Sequence, residues 1–325
     1  MFFFSDILFA RKCKNYQYFV LKILKCIMDS NNYFRDLLTN DINKSNVTIT
    51  GIPYDEGCSC GSGAALAPLR IKELSSFLPP LSMDGDLLTK IKLYDNGLLL
   101  KKENYFSYLK DEAYKIINTK KFPIFIGGDH SITIPLQQAF YDYCKENNKI
   151  PAIIHLDAHP DICDEYDDSI FSHACTNRRS LDYGYENENI VMVGIRGFEE
   201  QEVIYFKNNP SLKVYTANDC FALGISQIVN EIKEKFDDRY AIYLSYDIDI
   251  NDPSFAPGTG TPEAFGLTSR MVLELIIGLF ENVNVKAFDI VEVSPKLDCN
   301  DITSWLALKT MYEVFKVLIS KETYY

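Results

Sequence analysis

The chain has 325 residues, of which 47% are hydrophobic and 24% are charged, and its formal net charge is −12. These proportions are those of a globular protein that buries a large core. The acidic balance argues against nucleic acid as the main partner, because phosphate binding requires a basic surface. It weakly favours a cationic or neutral small substrate.

Residues 1–30 do not follow the pattern of a targeting segment. The apolar start precedes the basic residues that begin at Arg11, which is the reverse of the order in a secretory signal. The next apolar stretch is interrupted by Lys22 and Lys25, and it is too short and too charged to cross a bilayer. We expect a poorly ordered or amphipathic extension with no catalytic role and no membrane partner, and Met28 is a candidate for the natural start.

From residue 47 onward, short apolar runs rich in β-branched residues alternate with longer amphipathic stretches. Successive apolar residues are typical of parallel strands that are buried on both faces. The runs are 47–50, 91–94, 123–126, 152–156, 190–193, 212–215, 241–244 and 285–288. Helix-like stretches include 66–77, 105–117, 132–144, 225–236, 270–280 and 306–318. The alternation predicts one domain over residues 31–325, a three-layer α/β/α sandwich with a mostly parallel sheet of about eight strands.

The nine cysteines do not form a recognisable framework. Only Cys58 and Cys60 are closely spaced, and this spacing without a second pair is poor for a zinc site. We interpret all nine as reduced thiols in a cytoplasmic protein.

Polar motifs follow four of the predicted strands. His130 comes after run 123–126, Asp157 after run 152–156, Asp247 after run 241–244, and Glu292 after run 285–288. In open parallel sheets, the ligand crevice lies at the carboxyl ends of the strands. These side chains are therefore expected to converge at one crevice.

The residue types at this crevice indicate metal ions. Asp157, His159 and Asp161 alternate along one segment and would point the same way if it is extended. Asp247 and Asp249 repeat the spacing. A single aspartate is most simply a helix cap or turn residue, but four carboxylates in one crevice repel each other without cations. Two divalent ions balance that charge. Mixed nitrogen and oxygen ligands make Mn²⁺ the first choice, with Ni²⁺, Co²⁺, Fe²⁺ and Zn²⁺ left open.

Four segments, in chain order, resemble signatures of the ureohydrolases, the family of arginase and agmatinase. They are residues 127–131, 157–161, 245–263 and 289–295, and the resemblance extends from about residue 47 to the C-terminus. It implies an arginase-like sheet, hydrolysis of a guanidino compound to urea and an amine, and a trimer or hexamer.

The resemblance also implies roles for individual residues. One Mn²⁺ would be held by His130, Asp157, Asp161 and Asp247, and the other by Asp157, His159, Asp247 and Asp249. A hydroxide shared by the ions would attack the guanidinium carbon. Glu292 would bind the guanidinium nitrogens, and His173 would move protons or contact the substrate; with Asp161 they form the predicted catalytic set. His155 is predicted to support the ligands without binding metal.

The substrate is predicted to be agmatine, which would give putrescine for polyamine synthesis. The acidic loop 162–168 resembles that of agmatinase and differs from the asparagine- and serine-rich loop of arginase. Ala65 and Ala67 stand where the family usually has arginine and glycine, in a segment that could line the substrate mouth, which leaves the substrate open. Guanidinobutyrate or another guanidino acid is the runner-up. More distant alternatives are an arginase, a single-zinc deacetylase-like enzyme and a metal-binding pseudoenzyme.

Overall fold

The structure is a computed structural model that describes residues 33–321. The extension predicted over residues 1–30 lies outside the described residues, so the boundary near residue 30 stays a prediction. Within the described part, one eight-stranded sheet carries helices on both faces. This arrangement confirms the predicted three-layer α/β/α fold.

All eight predicted strands are present, and every pair of neighbours in the sheet is parallel. The strands are β1 Val47–Gly51, β2 Leu93–Leu98, β3 Phe122–Ile126, β4 Ile150–Leu156, β5 Ile190–Ile195, β6 Lys213–Thr216, β7 Tyr240–Asp247 and β8 Val285–Val291. Their order across the sheet is β2-β1-β3-β8-β7-β4-β5-β6. The four strands that precede the polar motifs, β3, β8, β7 and β4, are therefore adjacent at the centre.

The six predicted helices are also present, together with three that the sequence did not predict. The helices of the described part are α1 Ala67–Ser75, α2 Tyr105–Ile117, α3 Thr133–Glu146, α4 Thr176–Tyr183, α5 Glu200–Asn208, α6 Ala217–Leu223, α7 Ile225–Lys235, α8 Ser269–Asn282 and α9 Ile302–Ser320. The three that were not predicted are α4, α5 and α6. Among residues 33–321, no helix has the length and apolar character needed to cross a membrane.

Alternate side chains of the central strands enter opposite cores. Ile124 and Ile126 pack into the core beneath α1, α7, α8 and α9, whereas Phe125 packs into the core beneath α2 and α3. A third cluster, which includes Ile153 and Met192, lies beneath α4 and α5. Because both faces are covered, each central strand is apolar on successive residues. The polar residues of the central strands, such as His155, Ser245 and Asp289, lie in their carboxyl-terminal halves.

Candidate metal centre and substrate cavity

The central strands bring their polar residues to one edge of the sheet. Cross-strand pairs align His155 with Ser245 and Ser245 with Asp289. Asp157 and Asp247 therefore leave the sheet at the same level. His130 lies in a short 3-10 turn just beyond β3. The structure thus brings together all six residues that were predicted as metal ligands.

Four of these residues form the first cluster, defined by His130, Asp157, Asp161 and Asp247. His130 Nδ1 lies 3.0 Å from Asp157 Oδ2, 3.0 Å from Asp161 Oδ2 and 3.1 Å from Asp247 Oδ2. All four side chains are buried. Within residues 33–321, His130 Nδ1, Asp157 Oδ2 and Asp161 Oδ2 have no hydrogen-bonding partner. Buried polar atoms normally have partners, so their convergence fits a bound cation.

The second cluster comprises Asp157, His159 and Asp249. His159 Nδ1 lies 3.1 Å from Asp249 Oδ2 and 3.5 Å from Asp157 Oδ1. Asp157 thus turns one carboxylate oxygen to each cluster. The second cluster has the spacing of a metal-ligand group, and so do His130, Asp157 and Asp161 of the first cluster together with His155. Asp247 Oδ1 instead accepts the backbone N–H of Asp249 at 2.8 Å. The binding of Asp247 to both ions therefore stays a prediction.

The segment that carries Asp157, His159 and Asp161 is bent, so its predicted extended conformation is wrong. Asp161 has a φ of 53°, in the left-handed region that side chains other than glycine rarely adopt. Two N–H groups in the first turn of α4, from Asn177 and Arg178, donate to the carbonyl oxygen of Asp161 at 2.9 and 3.3 Å. The bend turns Asp161 towards the first cluster and His159 towards the second. Strained backbone of this kind is concentrated at functional sites.

A buried relay fixes the orientation of His130. Its Nε2 lies 2.8 Å from Ser245 Oγ, which donates its hydrogen to Asp289 Oδ1 at 2.8 Å. Thr133 and Tyr243 donate to the other oxygen of Asp289, each at 2.7 Å. Because the Ser245 hydrogen is committed to Asp289, its oxygen accepts Nε2–H from His130. The lone pair of the neutral imidazole is therefore on Nδ1 and points into the first cluster.

His155 lies close enough to His130, Asp157 and Asp161 to share a metal ion with them, but its Nε2 contacts other groups. Its Nε2 lies 2.9 Å from the carbonyl oxygen of His159 and 3.0 Å from Asp157 Oδ2. A carbonyl oxygen only accepts, so Nε2 carries a hydrogen and has no lone pair for a metal. The supporting role of His155 stays a prediction, because its Nδ1 has no hydrogen-bonding partner within residues 33–321.

The buried carboxylates of the two clusters repel one another, and bound cations would stabilise them. Burial, together with the charges of Asp249 and Asp157, holds the pKa of Asp247 well above its usual range. Burial also raises the pKa of Asp249, with Asp157 as the next cause. Burial alone would lower the pKa of His130. Its hydrogen bonds to the three aspartates of the first cluster together have the larger effect, so the net pKa is raised well above its usual value. Two divalent ions would relieve the repulsion, so the residues present fit a binuclear metal centre.

His173 and Glu292 lie side by side next to the first cluster. His173 Nδ1 is 3.2 Å from Glu292 Oε1, which also accepts the backbone N–H of His130 at 2.8 Å. Burial lowers the pKa of His173, but the hydrogen bond with Glu292 outweighs it and the pKa rises to about 9. Glu292 has a φ of 60°, and within residues 33–321 its Oε2 receives no hydrogen bond. Glu292 is almost fully buried and is absent from the described cavity lining, so its contact with a substrate stays a prediction.

A cavity of about 400 Å³ opens onto the clusters and the substrate-side histidine. Its lining from the described residues includes His159, His173 and five acidic side chains, and it contains no lysine or arginine. The acidic residues are Asp161, Glu199, Glu202, Asp247 and Glu263. Burial raises the pKa of Glu202 to about 7, so Glu202 contributes less negative charge than the others. A larger cavity of about 500 Å³ between α7, α8 and α9 shares no residue with either cluster.

The acidity of this cavity does not come from the acidic loop that the sequence singles out by composition. Within loop 162–168, Tyr166 lines the cavity, whereas Asp164 pairs with Arg178 and Arg179. Ala65 lies in a short 3-10 turn and is absent from the described cavity lining, although its segment was expected near the substrate mouth. Glu199 and Glu202 were missed, yet they follow β5 in the same way that the predicted residues follow their strands.

The comparisons with known proteins agree with this geometry. Residues 45–316 match the model of a family described as the arginase family. The mitochondrial guanidino acid hydrolase of Homo sapiens is 34% identical over 277 residues, which cover 82% of this chain and 77% of the relative. The agmatinase of Bacillus anthracis is 31% identical over 280 residues, covering 83% and 91%. The crystal structure of the agmatine ureohydrolase of Thermoplasma volcanium superposes with a TM-score of 0.78 at 29% identity, covering 90% and 95%.

Proposed function

Because the chain belongs to the arginase family of ureohydrolases, we propose that it hydrolyses agmatine to putrescine and urea. The reaction class is hydrolysis of an amidine C–N bond in a guanidino compound. Agmatine is the proposed member of that class because the described cavity lining carries Glu199, Glu202 and Glu263 in addition to the proposed metal ligands Asp161 and Asp247, and no lysine or arginine. This observation carries the proposal.

The tail of the substrate determines which guanidino compound fits. Agmatine ends in an ammonium group, which the carboxylates of Glu199 and Glu263 attract at the outer part of the cavity. A guanidino acid ends in a carboxylate, which the same residues repel. Guanidinobutyrate or a related guanidino acid stays the second candidate, because the human relative named for such substrates is 34% identical.

We propose that two ions occupy the clusters, one at His130, Asp157, Asp161 and Asp247 and the other at Asp157, His159, Asp247 and Asp249. When bound, such ions act as Lewis acids that make a water molecule nucleophilic at neutral pH. The mixed imidazole and carboxylate set favours Mn²⁺, with Ni²⁺, Co²⁺, Fe²⁺ and Zn²⁺ as alternatives. Two overlapping clusters argue against a single-zinc deacetylase-like site.

The protein side chains hold the substrate and move its protons. Glu292 Oε2 accepts hydrogen bonds from the guanidinium, which places the central carbon over the clusters. His173 shares its Nδ1 hydrogen with Glu292 Oε1 at 3.2 Å, while its Nε2 accepts the backbone N–H of Ser59 at 3.3 Å. In this proposal the Nδ1 hydrogen is the proton that passes to the leaving nitrogen when the C–N bond breaks. The presence of both groups argues against a metal-binding pseudoenzyme.

We also propose a cellular location and an oligomeric state. The seven cysteines within the described residues are free thiols, which supports a cytoplasmic location. A trimer or hexamer is expected from the family. Light scattering on the purified chain would measure the oligomeric state directly.

The test of the proposed function is urea release by the Mn²⁺-loaded protein with agmatine, 4-guanidinobutyrate, arginine and guanidine. We expect agmatine to give the highest kcat/KM, at least about tenfold above 4-guanidinobutyrate, which corresponds to about 1.4 kcal/mol of charge discrimination. A higher kcat/KM for 4-guanidinobutyrate would replace agmatine with the second candidate. No urea from any of the four would refute the proposed function.

A further inference from the structure

Arg196 binds backbone carbonyl groups from three separate segments. It follows β5, and its side chain donates hydrogen bonds to six carbonyl oxygens at 2.8–3.3 Å. The acceptors are the carbonyl groups of Gly194, Asp249, Ile250, Asn251, Glu263 and Ala264. The two shortest contacts, both 2.8 Å from Nη2, reach Asp249 and Glu263. One nitrogen therefore joins the segment of the second cluster to the rim of the cavity.

The contacts of this arginine differ from those of an ordinary surface ion pair. Arg196 is half-buried, and within residues 33–321 no carboxylate forms an ion pair with its guanidinium. Burial lowers its pKa, because the guanidinium is taken out of water, while the charges of Asp249 and Asp157 act in the opposite direction. Arginine keeps its charge in such places and offers five donors in a rigid plane. A cation held this way is suited to fixing backbone positions.

The backbone around Arg196 contacts the remaining part of the second cluster. The N–H groups of Arg196 and Gly197 donate to the carbonyl oxygen of Ala158 at 2.8 and 2.9 Å. Gly197 lies against the ring of His159, where an added Cβ would come within 2.6 Å of Cδ2. The turn that carries Asp157 and His159, the turn that carries Asp249 and the rim at Glu263 are thus all tied to one residue and its neighbour.

We propose that Arg196 is a positioning residue that holds the second cluster and the rim of the cavity in register. The inference rests on the proposed function, because it assigns the second cluster a metal ion. Two residues of the first cluster are held independently of this clamp: His130 is oriented by Ser245, and Asp161 by the start of α4. Loss of the clamp therefore weakens binding of one of the two ions selectively.

Lysine is the informative substitution at this position. Arg196→Lys keeps the positive charge but concentrates three donors on one nitrogen, so it cannot reach six carbonyl groups spread over three segments. Arg196→Ala removes the clamp completely. Arg70→Lys is the matched control, because Arg70 forms its bonds with Asp301 and Glu73, away from the cavity.

The experiment titrates Mn²⁺ into each metal-free variant and follows binding by calorimetry, with electron paramagnetic resonance to detect the coupled ion pair. Circular dichroism verifies the fold. For Arg196→Lys we expect the weaker site to bind about 10–100-fold less tightly, as for lost support of metal ligands elsewhere, with the tighter site unchanged. The coupled-pair signal should appear only at correspondingly higher Mn²⁺ concentrations. Arg196→Ala should show the same loss or a larger one.

Selective weakening of one site distinguishes a clamp from a general effect on folding. Unchanged affinity of both sites in folded Arg196→Lys overturns the proposal, and so does equal weakening of both sites, which would indicate a general effect. An equal loss in Arg70→Lys also overturns it, since that variant leaves the clamp intact. If the wild-type protein binds two ions but releases no urea, the proposed function is refuted. The clamp can still be tested in that case, because its test measures metal affinity and not urea release.

Discussion

Replacing Ser245 with alanine tests how the protein orients its first metal ligand. The substitution removes the 2.8 Å contact with His130 Nε2 and the 2.8 Å hydrogen bond to Asp289 Oδ1, both in a fully buried environment. Asp289 keeps its bonds from Thr133 and Tyr243, whereas the Nε2–H of His130 loses its acceptor. An unsatisfied buried donor costs about 1–3 kcal/mol. We expect the free energy of unfolding to fall by about that amount.

The effect on metal binding follows from the same geometry. Without Ser245, the imidazole of His130 can rotate or change tautomer, and Nδ1 no longer faces Asp157 reliably. Lost support of a metal-ligating histidine typically costs about 10–100-fold in metal affinity, which is about 1.4–2.8 kcal/mol.

Calorimetric titration with Mn²⁺ measures this affinity, and chemical denaturation measures stability. Ser294→Ala is the control, because Ser294 is also buried but its Oγ has no hydrogen-bonding partner within residues 33–321. An unchanged Mn²⁺ affinity in Ser245→Ala would refute the relay.

Three further predictions concern the substrate and the metals. Glu263→Lys places a cation at the cavity, so kcat/KM for agmatine should fall and that for 4-guanidinobutyrate should rise; Glu165→Lys makes the same charge change outside the described cavity lining and should do neither. A rise for the acid in both variants, or in neither, would contradict the charge argument. His155→Gln should still bind two ions per chain, because His155 Nε2 donates to a carbonyl group; stoichiometry near one would make it a ligand. Chelation should lower the melting temperature and abolish urea release, with Mn²⁺ restoring both, because the clusters bring unrelieved carboxylates together. Equal melting temperatures with and without Mn²⁺ would show that the ions do not bind the folded chain at these clusters.

Much of the fold could be predicted from apolar runs, because the sheet is covered on both faces. Each predicted run became a parallel strand, and placing the polar residues at strand ends brought His130, Asp157 and Asp247 to one edge. The short helices α4, α5 and α6 carry few buried apolar residues and so had a weak periodic signal. One of them, α4, holds the backbone of Asp161, a long-range contact that sequence spacing does not encode.

The parts of the site that sequence reasoning missed depend on backbone conformation and on contacts between distant segments. The left-handed conformation of Asp161 replaced the expected extended segment, so the residues predicted from the alternating spacing converge, but not in the way that the spacing implied. Arg196 was not predicted, because its acceptors are carbonyl groups that leave no pattern in the sequence. The acidic loop 162–168 stood out by composition, although Asp164 is paired with arginines. Composition identified a charged loop, but it did not show which of the acidic side chains face the cavity.

The proposed chemistry depends most on two metal ions in two clusters that share Asp157. Anomalous diffraction at the manganese edge from crystals grown with Mn²⁺ measures this directly. We predict two peaks in each chain, one among His130, Asp157 and Asp161 and the other among Asp157, His159 and Asp249. A single peak, or peaks away from these side chains, would contradict the binuclear centre.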